Sequence, residues 1–316
     1  MEARRLQLRS HRTAVWLALL VTFLWSTSWV LIRWGLDDEG LRPLTFAALR
    51  YGLAAALLVI VAVVSERRRP GLRHAERGFL LRLVVLGIVM YALTQGAMFV
   101  ALDAQPAATT SLILSLTPLL VAGGAAVTLS EVPSRTQIGG ATIVLVGAGC
   151  YFTGDLGATS VGLMAAVTAL FANVAAAIIG RSVNRSEALP AVAVTAVSMS
   201  VGAGVLVLLA LGLEGMPAIS PRGWLIIGWL ALVNTALAFT LWNLSLQRLS
   251  AVESAGINNT MLVQIALLAW LLLGEAPGPL GLLGIALVSS GVYLVQLARR
   301  QGGDVLPLAQ AADGPT

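Results

Sequence analysis

Glu131-Val132-Pro133, followed by Gly140 and Gly147, returns later in the chain as Glu275-Ala276-Pro277, followed by Gly284 and Gly291. The glutamate, the proline and both glycines recur at one constant separation of 144 residues. These residue types are informative. Proline ends helices, and two glycines seven apart fall on one helical face, where small residues let helices approach. Each set also closes an apolar run and opens the next one. The chain therefore reads as one membrane unit written twice. A duplicated unit in a polytopic membrane chain implies two halves that rock against each other around a central site, and argues against an enzyme.

Composition agrees. Hydrophobic residues make up 58% of the 316 and charged residues 11%, against about 45–50% and 25% in soluble domains. The basic excess of +5 comes from arginine alone and is clustered. Such clustering marks membrane orientation and excludes a nucleic-acid partner. The single cysteine, Cys150, rules out an intrachain disulfide. Residues 13–35 are long enough to span and lack a clear small-x-small cleavage site. They read as a retained first span behind Arg4, Arg5, Arg9 and Arg12.

Ten apolar segments follow one another: 13–35, 43–65, 79–101, 106–129, 135–154, 158–180, 190–212, 223–246, 252–274 and 278–298. Each can cross about 30 Å of hydrocarbon as a helix. Helix is forced, because backbone groups in lipid must be satisfied within the segment. With the N-terminus inside, sixteen arginines lie in cytoplasmic segments and adjoining span ends, while the outer loops hold only Arg42 and Arg222. The positive-inside rule then puts both termini in the cytoplasm.

Five spans per half is odd, so the second half must be inverted. The loop charges reverse accordingly: Asp37, Asp38 and Glu39 outside in the first half, Arg181 and Arg185 inside in the second. The first spans align at an offset of 146, as in Val15/Val161, Thr22/Thr168 and Ile32/Ile178. The expected fold is an all-α membrane protein of ten transmembrane helices in two inverted five-helix repeats. Its parts are a cytoplasmic segment 1–12, repeats 13–154 and 158–298, and a disordered cytoplasmic tail 299–316.

Several stretches carry a family likeness. They are Leu24-Trp25-Ser26-Thr27-Ser28-Trp29 with Ile32-Arg33, Pro43 with Arg50-Tyr51, and Ala101-Leu102-Asp103-Ala104-Gln105-Pro106-Ala107-Ala108-Thr109-Thr110-Ser111-Leu112 running through Pro118-Leu119 to Glu131. The second half repeats the last of these as Leu246-Gln247-Arg248-Leu249-Ser250-Ala251-Val252-Glu253-Ser254-Ala255, ending at Gly274-Glu275, with Leu262 where the first half has Pro118. Over about residues 13–298 the chain resembles the EamA-like branch of the drug/metabolite transporter superfamily. That resemblance implies a central cavity between the halves, alternating access and a small-metabolite substrate.

Enzymatic constellations are absent from the sequence. His11 and His74 lie far apart, no metal-ligand spacing or phosphate-binding glycine loop occurs, and no cofactor is expected. The binding candidates are polar and aromatic residues inside spans, since a buried amide without a partner costs several kcal/mol and must face the bundle or a wet cavity. They are Trp25, Arg50, Tyr91, Gln95, Ser111, Ser115, Asn173, Asn234, Trp242, Asn258, Asn259 and Gln264. Tyr91 and Gln95 share a helical face, as do Ser111 and Ser115. Ser115 and Asn259 are related by the 144 offset. The competing reading for each is hydrogen bonding between helices, with Trp16, Trp34, Trp224 and Trp229 in interfacial belts. Glu253, at the start of the ninth span, is a candidate proton-coupling carboxylate. Glu131 and Glu275 read as local caps, and Arg50 as either a binding group or a structural one. Amides, hydroxyls and aromatics around one or two arginines suit a zwitterion or neutral solute better than a phosphate. The expected function is export of an amino acid or related compound across the inner membrane. The lipid bilayer is the expected surrounding and a homodimer an allowed assembly. The rival readings are a lipid flippase or a scaffold without solute flux.

Overall fold

The computed structural model describes residues 2–66, 76–105, 107–129, 134–151, 158–186, 188–215, 218–273 and 278–301. Among the described residues the chain is helical throughout, without strands. The helices are α1 (Glu2–Arg33), α2 (Pro43–Glu66), α3 (Arg77–Ala104), α4 (Ala107–Leu114), α5 (Thr117–Thr128), α6 (Arg135–Tyr151), α7 (Ser160–Arg185), α8 (Ala191–Leu213), α9 (Pro221–Leu246), α10 (Ala251–Asn258), α11 (Thr260–Leu273) and α12 (Pro279–Gln301). Six of the described helices are long and apolar enough to cross a membrane: α2, α3, α7, α8, α9 and, within α1 and the turn after it, His11–Leu36. The shortest of these stretches has 22 residues, which rise about 33 Å as a helix.

Some boundaries differ from expectation. Helix α1 begins at Glu2, inside the basic segment, and α12 runs on to Gln301, because arginine is a good helix former and nothing there breaks the pattern. Residues 302–316, Glu131 and Glu275 lie outside the described residues. The expected fourth and ninth spans are each two helices, α4–α5 and α10–α11. Pro118 sits in the first turn of α5, a position that tolerates proline. The second break, at Asn259, has no proline.

Hydroxyl caps set several helix starts. Thr159 accepts from the Gly162 amide ahead of α7, and Ser220 accepts from Gly223 ahead of α9, with Pro221 in the first turn. Ser250 and Glu253 form a reciprocal capping box on α10. Starts 77, 107 and 135 recur at 221, 251 and 279, the 144 separation of the sequence motif. Both α3 and α9 contain a π segment, Ile88–Gln95 and Leu232–Leu237, whose starts are separated by the same 144 residues.

Packing follows small residues. A Cβ at Gly140 would lie 2.7 Å from the Gly291 carbonyl oxygen, and one at Gly147 would lie 2.8 Å from that of Gly284. The two glycine pairs therefore seat α6 and α12 against each other in antiparallel. The largest buried cluster joins α2, α3, α8 and α9 through Phe46, Tyr51, Tyr91, Met199, Leu206 and Ile227. Leu208, Leu225, Ile60 and Phe171 remain exposed, as lipid-facing side chains should. Trp16, Trp34, Trp224 and Trp229 are also exposed.

Candidate functional site

A cavity of about 160 Å³ opens in the middle of the bundle, lined from α1, α2, α3, α4, α5, α7, α9, α10 and α11. On one wall is Arg50, 3% exposed, carried by α2. Its Nε donates to Thr235 Oγ1 at 2.7 Å and its Nη2 to the Asn234 carbonyl at 3.3 Å. That carbonyl, in the π segment of α9, also accepts from Trp25 Nε1 at 3.1 Å. Among the described residues no carboxylate pairs with Arg50. Its guanidinium carbon lies 5.2 Å from the Tyr51 ring centre, within cation–π range. The Tyr51 hydroxyl donates to Gln95 Oε1 at 2.7 Å.

Aromatic rings form the adjoining wall. Trp25 stands 4.9 Å from Phe239 and 5.1 Å from Trp242, measured between ring centres. Behind them Tyr91 packs 5.0 Å from Phe239. Small and amide residues complete the lining. Asn173 Nδ2 reaches Thr117 Oγ1 at 3.4 Å, and Asn259 Nδ2 donates to the Ser115 carbonyl at 3.3 Å. The two residues related by the 144 offset thus touch at the two helix breaks.

Of the residues expected at the site, Trp25, Arg50, Gln95, Ser115, Asn173, Trp242, Asn258 and Asn259 line this cavity. Tyr91 lies behind the aromatic wall. Asn234 ties α9 to α1, donating to the Leu24 carbonyl and to Thr27 Oγ1. Gln264 ties α11 to α1: its Nε2 donates to Thr22 at 3.1 Å and its Oε1 accepts from Ser26 at 2.9 Å. Ser111 has its side chain outside the described residues. Glu253 is buried and caps α10 through the Ser250 amide at 2.9 Å, with His11 3.7 Å away; it does not line the cavity. Tyr51, Met98 and Phe239 line it without having been expected. The repeat held a signal for two of them: Gln95 displaced by 144 is Phe239, and Trp242 displaced back by 144 is Met98. Among the described residues no group of three His, Cys, Asp or Glu could hold a metal ion.

This arrangement can bind a small solute and holds no nucleophile–base pair for covalent chemistry. Known proteins fit it. The chain is 28% identical over 301 residues to a protein of Streptantibioticus cattleyicolor named "Probable terminal-alkyne amino-acid exporter", covering 91% of this chain and 96% of that protein. It also matches a solved chain described as "Crystal structure of protein", with a TM-score of 0.77 and 21% identity, over 92% of this chain and 99% of that one; this second likeness is one of fold alone. The model of the EamA-like transporter family matches residues 12–153 and again residues 160–297, and the cavity is lined from both stretches. The chain belongs to the EamA-like transporter family: it is a multi-pass membrane transporter and not an enzyme.

Proposed function

We propose that this protein exports an amino acid or a closely related metabolite across the cytoplasmic membrane by alternating access. Ten spans in two inverted five-helix repeats, with both termini cytoplasmic, would expose one central site first inward and then outward. The observation that carries this reading is the cavity. It lies between the two family-matched stretches and joins one arginine and several amides to an aromatic wall. That set of groups suits a solute with a charged end and an apolar body. The exporter name of the S. cattleyicolor relative supports the amino-acid class and the outward direction. Glu253 is kept in the proposal as a coupling carboxylate, because it is buried beside His11 at the end of a helix that lines the cavity.

The test compares metabolites in medium and cytosol. Cells overproducing the wild-type chain are set against cells with equal membrane levels of an Asn259→Ala, Trp25→Ala double variant. An amino acid enriched in the medium only with the wild type is expected. Accumulation inside would reverse the direction, and no difference across the panel would shift the reading to lipid translocation.

A further inference from the structure

Hydrogen-bond accounting in the cavity, taken together with the amino-acid reading above, gives the site a polarity. Two amides have their orientation fixed by partners that can only accept. The Thr117 hydroxyl gives its proton to the Leu114 carbonyl at 2.6 Å, so toward Asn173 it can only accept. The partner at 3.4 Å is therefore Nδ2, which leaves Asn173 Oδ1 over. The Ser115 carbonyl likewise accepts from Asn259 Nδ2, leaving Asn259 Oδ1 over. Neither oxygen has a hydrogen-bond partner among the described residues, and neither is sealed from open space. Both residues line the cavity, so this wall offers two bare acceptors.

The same cavity also offers donors. Tyr51 occupies Gln95 Oε1 and turns the Gln95 amide nitrogen outward. Arg50 spends Nε and Nη2 on Thr235 and Asn234, and among the described residues Nη1 has no partner. Arg50 and Gln95 both line the cavity, and no carboxylate does. A buried guanidinium without a fixed counter-charge is costly unless the ligand brings the anion.

We propose that this is a three-point site for an α-amino acid with an apolar side chain. Arg50 and Gln95 receive the carboxylate, the Oδ1 atoms of Asn173 and Asn259 receive the ammonium, and Trp25, Phe239 and Trp242 receive the side chain. The donors and the acceptors are different side chains of one cavity lining, so removing either end of the ligand strands a different set of groups. A stranded buried polar group is the most expensive kind of mismatch.

The experiment uses the purified full-length chain in lipid nanodiscs. Three probes share one isobutyl body: L-leucine, L-leucinamide, which lacks the carboxylate, and 4-methylpentanoate, which lacks the ammonium. Leucine should bind about tenfold or more tighter than either of the others. Gln95→Leu should narrow the discrimination between leucine and leucinamide severalfold, Arg50 holding the rest, and leave that between leucine and 4-methylpentanoate near wild type. Asn173→Leu should narrow that between leucine and 4-methylpentanoate severalfold, Asn259 holding the rest, and leave the first near wild type. Equal binding of the three probes to the wild type overturns the three-point site and leaves transport intact, and that arm needs no variant to fold. Equal damage to both discriminations by each variant also overturns it. Absence of leucine binding removes the amino-acid reading itself, and this site with it.

Discussion

A methyl group at Gly202 would stand 2.3 Å from the Gly87 carbonyl oxygen and 2.6 Å from Tyr91 Cβ. Backbone on α3 cannot move aside as a side-chain tip can. Gly202→Ala should therefore cost about 1–3 kcal/mol of stability. Gly204, two residues along the same helix, has nothing within 4 Å, and Gly204→Ala should be neutral or gain up to about 1 kcal/mol from helix propensity. Thermal unfolding of the two variants in detergent checks the contrast. The residue scale is also where the sequence was most legible and most ambiguous. The rule that a buried amide needs a partner selects Gln95, Asn173 and Asn259, which line the cavity. It selects Asn234 and Gln264 for the same reason, and these find their partners on α1. A polar span residue announces that it needs company without saying whether a helix or a solute supplies it. Tyr51 belongs to a stretch that carries the family likeness, but nothing in its residue type marks it as a cavity residue; in the fold it is fully buried.

The breaks between α4 and α5 and between α10 and α11 were not legible as breaks. Each pair reads as one continuous apolar run, and only the first contains a proline. At the second, Asn259 follows the last residue of α10 and its side chain bonds across the bundle to the Ser115 carbonyl; such a partner is visible only in three dimensions. The start of α10 was better marked, because Ser250 and Glu253 have capping-box spacing. Ser250→Ala should destabilise the protein by about 1 kcal/mol. Glutamine also serves at the third position of this motif, so Glu253→Gln should fold with stability close to wild type. That makes it a clean probe of the charge. In proteoliposomes under a proton gradient, full activity of Glu253→Gln assigns the carboxylate to the cap alone. Loss of gradient-driven transport with substrate exchange retained assigns it the coupling proton.

At the scale of the molecule, the 144-residue repeat of the sequence returns in the starts of three helix pairs and of the two π segments, and the glycine pairs it marked are close-packing faces. It does not say which side chains join the two family-matched stretches, since those contacts depend on the conformation adopted. One such contact stands out. Helix α1, in the first matched stretch, is tied to α11, in the second, by Thr22 and Thr260 hydroxyls 3.2 Å apart and by Ser26 and Gln264. Outside these, Arg222 near the start of α9 pairs with Asp38 at 3.5 Å and with Glu39 at 3.7 Å. The Arg222–Asp38 pair is exposed on both sides, and such pairs contribute about 1 kcal/mol or less. If the two halves rock against each other, the α1–α11 seam must part once per cycle. Replacing Thr22 and Thr260 by cysteine puts two sulfurs where two oxygens now touch, close enough for a disulfide after a small shift. Cys150 is the lone native cysteine, so a Cys150→Ser background leaves only the engineered pair. Oxidation of Thr22→Cys, Thr260→Cys should abolish transport, and a reductant should restore it. Each single variant should transport with or without oxidant. Undiminished transport by the fully cross-linked protein would mean that this seam stays shut through the cycle, and that the halves move about some other line.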